Sequence, residues 1–129
     1  MKHILKMLAV SLVAAVVFTG CRSGPVLNIE NAPISIQGKH SSNDIGKAIR
    51  RAGIGLGWRM NEVKPGHIIG TLSLRSHTAV IDVTYNKDSY SIKYKSSENL
   101  NYDGTNIHSN YNGWIKNLDS KIQVQLNLM

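Results

Sequence analysis

The sequence predicts an α+β two-layer sandwich for residues 26–129, an antiparallel sheet of about four strands with two helices on one face, in the order β-α-β-β-β-α. Three observations predict it. Residues 67–95 alternate apolar with polar side chains and carry turn residues at two points. Residues 45–52 place apolar side chains three and four apart behind a serine suited to capping a helix. From Ile107 to Leu126 a second stripe repeats that spacing. A meander with one apolar face needs a helical layer over it, and the two stripes supply one.

The first element is the β-rich stretch 26–36, VLNIENAPISI, in which Pro33 marks an edge strand or a bend. Ser41-Ser42-Asn43-Asp44 then starts a helix, with Ser41 as N-cap and Asp44 in the first turn, near the positive end of the helix dipole. Ile45, Ala48, Ile49 and Ala52 form its apolar stripe, while Lys47, Arg50 and Arg51 lie off it. Gly53 is expected to stop the helix. Gly53, Gly55 and Gly57 follow a helix instead of leading into one. They therefore read as a helix exit and tight turn, not as a phosphate-cradling loop, where a helix N-terminus must meet the anion.

In the meander, Ile68, Leu72 and Leu74 share one parity around Gly70, as do Ala79, Ile81, Val83 and Tyr85. Tyr90, Ile92 and Tyr94 lie opposite Ser91, Lys93 and Lys95, and turns fit at RSH and NKDS. The last helix draws on Ile107, Tyr111, Trp114 or Ile115, Leu118, Ile122 and Leu126. Residues 121–129, KIQVQLNLM, also alternate with period two and read as a strand. Helix is favoured because the stripe continues from Trp114 without a breaker.

Ahead of this domain, Lys2, His3 and Lys6 precede an apolar run from Met7 to Phe18 that only Ser11 interrupts, and Thr19-Gly20 lead to Cys21, the single cysteine. That is the layout of a secretory signal. The run is shorter than the roughly 20 residues of a membrane-spanning helix, which makes a permanent transmembrane anchor the weaker reading. A buried free thiol or an intermolecular disulfide would need a folded or oxidising context, whereas Cys21 sits between the apolar run and the turn-forming RSGP.

The residues FTGC resemble the lipobox of bacterial lipoproteins, with Phe18 where that family usually has Leu. The resemblance covers residues 1–21 and implies cleavage before Cys21, a diacylglycerol thioether on its sulfur and acylation of the new amino group. Residues 1–20 are then a cleaved signal peptide, 21–25 a lipidated N-terminus with a short linker, and 26–129 one α+β domain. Two or three acyl chains hold such a protein essentially permanently. Under the enteric sorting rule that accompanies the resemblance, Arg22 in place of Asp implies the outer membrane, facing the periplasm. The patch YDGTNIHSNYNGW, together with IGKAIRRAGIGLGW, is similar to small proteobacterial envelope lipoproteins, a likeness too loose to carry an activity.

The whole chain has a formal charge of +7. Its first twenty residues hold two of the fifteen basic residues, which leaves thirteen against eight acidic ones and a charge of +5. An exported protein does not meet its cell's genome, so the excess suggests an envelope protein or an anionic lipid or glycan as partner, and no nucleic acid. A simply soluble basic surface explains it as well. Lys47, Arg50, Arg51, Lys93 and Lys95 are the candidate binding surface. Since only Arg22 to Pro25 separate the anchor from the first strand, the domain is expected close to the bilayer.

Chemistry is harder to find. His67 and His77 fall about ten residues apart along one expected strand, roughly 30 Å, too far to share a metal. His40 and His108 each precede an expected helix, but two histidines without a carboxylate or thiolate make a poor zinc site. No G-x-S-x-G motif is present and the acidic residues are scattered singly. No cofactor, metal or catalytic residue is assigned. The remaining alternative to a binding module is a small periplasmic hydrolase acting on cell wall or glycan. Tyr102, His108, Tyr111 and Trp114 are the candidate aromatic patch for a sugar or peptide. Tyr111 and Trp114 fit equally well as part of the last helix's core stripe.

Overall fold

The computed structural model describes residues 22–129, so the signal peptide and the lipidation expected at Cys21 lie outside the described residues. The chain runs β1 (Ser23–Pro25), β2 (Ile29–Pro33), α1 (Ser42–Gly55), β3 (Arg59–Lys64), β4 (His67–Leu74), β5 (His77–Tyr85), β6 (Ser89–Glu98), β7 (Asn106–His108) and α2 (Ser109–Asn127). Five strands form one antiparallel sheet in the order β2-β6-β5-β4-β3, and β1 pairs with β7 in a separate two-stranded sheet. The class is α+β as expected, but the main sheet has a fifth strand and the order gains β1, β3 and β7.

The register explains which sheet face is covered. Ile68, Gly70 and Leu72 of β4 oppose Val83, Ile81 and Ala79 of β5, while Val83 and Ile81 oppose Ile92 and Tyr94 of β6. These residues point toward the helices, and the aliphatic ones are all buried. The covering stripes are Ile45, Ala48, Ile49 and Ala52 of α1 with Tyr111, Ile115, Leu118, Ile122 and Leu126 of α2. Residues 121–127 are therefore helical. Leu74 shares the inward parity but lies beyond the helical cover and is exposed.

Two close side-chain pairs tie the layers. The Tyr90 hydroxyl of β6 donates to Asp119 Oδ1 of α2 at 2.5 Å. Burial, reinforced by that carboxylate, holds the Tyr90 phenol well above its ordinary range, so it stays a donor. Gly46 of α1 lies over the Tyr85 ring, where a methyl group would collide with the phenol. Glycine lets α1 approach the sheet there.

Several expectations need correction. Gly53 does not stop α1, which runs to Gly55 with Leu56 as C-cap. Gly53 is instead a packing position, since a Cβ there would lie 2.5 Å from Met60 Sδ. The turn belongs to Gly57, whose φ of +92° suits glycine. Of 26–36 only Ile29–Pro33 is strand, an edge strand interrupted by Asn31 at φ +51°. His67 and His77 do not share a strand. The chain turns at Arg75-Ser76, so they stand at opposite ends of the β4–β5 hairpin, with His77 opposite Leu74 and His67 opposite Thr84.

The short linker is also corrected. Arg22 accepts a hydrogen bond from Ser109 N at 2.9 Å, Ser23–Pro25 pairs with Asn106–His108, and Val26 N donates to Thr105 O at 2.9 Å. Asn112 of α2 fastens the next turn, accepting from Leu27 N and donating to Pro25 O, both at 2.9 Å. Of the expected short linker, residues 22–25 are part of the folded body.

Candidate binding site

The helix start that the sequence announces is the foundation of the site. Ser41 caps α1 by accepting from Asp44 N at 3.2 Å, and Asp44 accepts from Ser41 N at 3.1 Å, a reciprocal capping box. Those bonds, the backbone one first, lower the Asp44 pKa. With the apolar stripe fixed inward, Lys47, Arg50, Arg51 and Ile54 face outward. Together with Met60 of β3 they line a hollow of about 250 Å³.

Its electrostatics are one-sided. Among the described residues no carboxylate lies within ion-pair distance of Lys47, Arg50 or Arg51. Arg50 is half-buried, and its Nε is shielded from solvent without a hydrogen-bond partner. Beside it, the Tyr85 hydroxyl donates to Glu62, and burial together with that carboxylate raises the Tyr85 pKa against the opposing charge of Arg50. The hollow thus has three cations beside the apolar side chains of Ile54 and Met60. That arrangement suits an anionic group that brings its own acceptors.

Lys93 and Lys95 do not join this site. They project from β6 on the sheet face away from the helices, where each already faces an acid. Lys93 Nζ is 3.9 Å from Glu30 Oε1 and Lys95 Nζ is 3.8 Å from Asp82 Oδ2. The expected five-residue basic surface is therefore two surfaces on opposite sides of the molecule. Of the five, Lys47, Arg50 and Arg51 are the ones with no acid at ion-pair distance among the described residues.

The aromatic patch also divides. Tyr111 is fully buried, edge-on to Tyr94 with ring centres 5.6 Å apart, and Tyr94 lies tilted against Tyr102 at 4.2 Å. Burial, followed by the neighbouring phenols of Tyr94 and Tyr102, raises the Tyr111 pKa, and its hydroxyl has no hydrogen-bond partner among the described residues. The three rings cover one another and leave no open face between them for a ligand to stack on. Trp114 sits apart, lining a hollow of about 70 Å³ with Leu56, Trp58, Leu72, Leu74 and Asn117.

His108 caps α2 by accepting from Asn110 N at 3.1 Å through Nδ1, which places its ring proton on Nε2 when neutral. Its ring stacks with His77 at 6.4 Å, a pairing that sequence spacing did not suggest. His77 in turn donates Nδ1–H to Asn99 O at 2.7 Å. On the open sheet face His67 Nε2 is 2.7 Å from Asp82 Oδ1. This pair has the geometry of an oriented base, but no nucleophile joins it in the described hydrogen bonds. No group of three or more His, Cys, Asp or Glu among the described residues is placed to hold a metal ion.

Sequence reasoning missed one hollow of about 310 Å³, lined by Ile34, Ile36, Gly38, Lys39, His40, Lys87 and Asp88. Its signal was the presence of charged turns at 38–40 and 86–89, which only the folded sheet brings together. Among the described residues no helix is long and apolar enough to cross a membrane. No family model, no curated protein and no solved structure matches this chain.

Proposed function

We propose that this chain is a lipid-anchored binding or assembly module of the bacterial cell envelope, held through Cys21 at the periplasmic side of the outer membrane. Its working surface is the outward face of α1, which takes an acidic or phosphorylated group of another envelope component. The anchor reading is supported by the N-terminal sequence: a basic start, an apolar run and Gly20-Cys21. The observation that carries the binding reading is the hollow of Lys47, Arg50 and Arg51, three cations with no acid at ion-pair distance among the described residues. Charge gathered on one side of a small domain steers anionic partners and favours their docked orientation.

The test is crosslinking in living cells followed by mass spectrometry, comparing wild type with the Lys47→Glu/Arg51→Glu double variant. Arg50 is left intact because its charge acts on the buried Tyr85 hydroxyl. The double variant loses the partners that wild type captures, while Lys93→Glu, on the far face, keeps them. An unchanged partner set from the double variant removes α1 from consideration. Thermal melting of both variants checks that the fold survives.

A further inference from the structure

The two ends of the sheet are not equivalent, because the chain emerges at only one of them. That end holds the β4–β5 turn at Arg75-Ser76, the loop 99–105, the C-terminal end of α1 and the N-terminal end of α2. It is also where Arg22 is bonded to Ser109 and β1 to β7. The opposite end carries the β3–β4 and β5–β6 turns, about 26 Å away along β5.

From this geometry we infer that the end carrying Arg22, Leu56, Leu74, Arg75 and Tyr102 rests directly on the bilayer, with its two arginines among anionic headgroup phosphates. The inference rests on the anchored reading above and deepens it. Cys21 is one residue, about 3.8 Å between Cα atoms, from an Arg22 whose carbonyl is already fixed to α2. An anchor embedded in the membrane at that position leaves the body only the reach of the cysteine side chain and its glycerol to stand off. The surface it brings down suits the interface: Leu74 is 46% exposed, Tyr102 39% and Leu56 38%, and Arg22 and Arg75 are exposed at the same end, with Glu98 and Asp103 the acids they must outreach to meet phosphates. Aliphatic and aromatic side chains enter the boundary between headgroups and acyl chains, while arginines pair with phosphates. The α1 axis then stands away from the membrane, and the basic hollow opens sideways, above the headgroup layer.

The test uses the full chain, anchored in vesicles containing anionic phospholipid. A polarity-sensitive fluorophore is placed through Leu74→Cys or Leu56→Cys at the near end, and through Lys64→Cys or Lys87→Cys at the far end. A quencher carried at headgroup depth is expected to act at least about threefold more strongly on the near-end labels. Inserting a flexible Gly/Ser spacer between Cys21 and Arg22 should reduce the difference, because the face then meets the bilayer at a lower effective concentration. Equal quenching at both ends of the unspaced chain overturns the inference while leaving the anchor intact. Near-end labels shielded from aqueous quencher but untouched by the lipid quencher mean that another protein covers this end, and overturn it as well. If Cys21 of the wild-type chain reacts with the thiol reagent and the protein stays in the soluble fraction, the anchored reading fails and this inference with it.

Discussion

The outward face of α1 and the open face of the sheet both carry basic side chains, yet they use them differently. On the sheet, Lys93 and Lys95 stand near Glu30 and Asp82, so each already has an acid at ion-pair distance within the fold. On α1, Lys47 lies three and four residues from Arg50 and Arg51; Asp44 one turn earlier partly offsets Lys47, but no acid comes within ion-pair distance of Arg51, so it and Lys47 repel one another. A residue type alone therefore says little about binding. What matters is whether the fold has already given the charge a counter-ion.

The largest test of this contrast removes the support beneath the helix. Ile49 is fully buried under α1, and Ile49→Ala should cost about 2–5 kcal/mol in urea unfolding. A cost no greater than that of a surface substitution would mean that the basic face is not held on a rigid base. Gly46→Ala drives a methyl group against Tyr85 and should cost about 1–3 kcal/mol, again by urea unfolding. Loss of the cap in Ser41→Ala should cost about 1 kcal/mol and fray the first turn, which amide exchange would detect.

The smallest effects are the most discriminating, because the two faces predict opposite signs. Arg51→Ala should raise stability by about 0.2–0.5 kcal/mol at low salt by relieving repulsion with Lys47, since no acid lies three or four residues from Arg51 on α1. Lys93→Ala should lower it by less than about 1 kcal/mol, since its pair with Glu30 is exposed and screened. Both changes should fade as salt is added. A shared sign would erase the distinction between the faces.

Acid offers a further check on α1 and on the loop beside β7. Asp44 and Asp103 both have pKa values lowered below the ordinary 3.8 by hydrogen bonds they accept, Asp44 from Ser41 and Asp103 from Asn106 and Thr105. A depressed carboxylate contributes its full stabilisation above the unfolded value and loses it as pH falls through the folded one. Unfolding midpoints should therefore decline below about pH 4, and Asp44→Asn should flatten part of that decline.

Much of this architecture was legible because two periodicities were strong. The stripe Ile45, Ala48, Ile49, Ala52 and the alternation through β4, β5 and β6 each record one buried face. β3 was not legible, since in Arg59–Lys64 only Met60 and Val63 are apolar and they fall on opposite parities. Its strand state comes from pairing with β4. β1 and β7 are three residues each, too short to show any period, and β1 contains Gly24 and Pro25. For the site, the separation of Lys93 from Lys47 was within reach: a sheet covered on its Tyr90, Ile92 and Tyr94 side must present Lys93 on the other. The meeting of His77 with His108 was not, because it depends on how the hairpin turn and the start of α2 converge.

The two outermost strands have a consequence for crowding. β2 breaks register between Ile29 and Ala32 and ends in a proline that has no amide hydrogen to donate, while β3 breaks register between Glu62 and Lys64. Neither border presents a straight, unbroken row of amides on which a neighbour's strand could grow. Many copies gathered on one patch of surface would therefore be discouraged from zipping into a continuous ribbon.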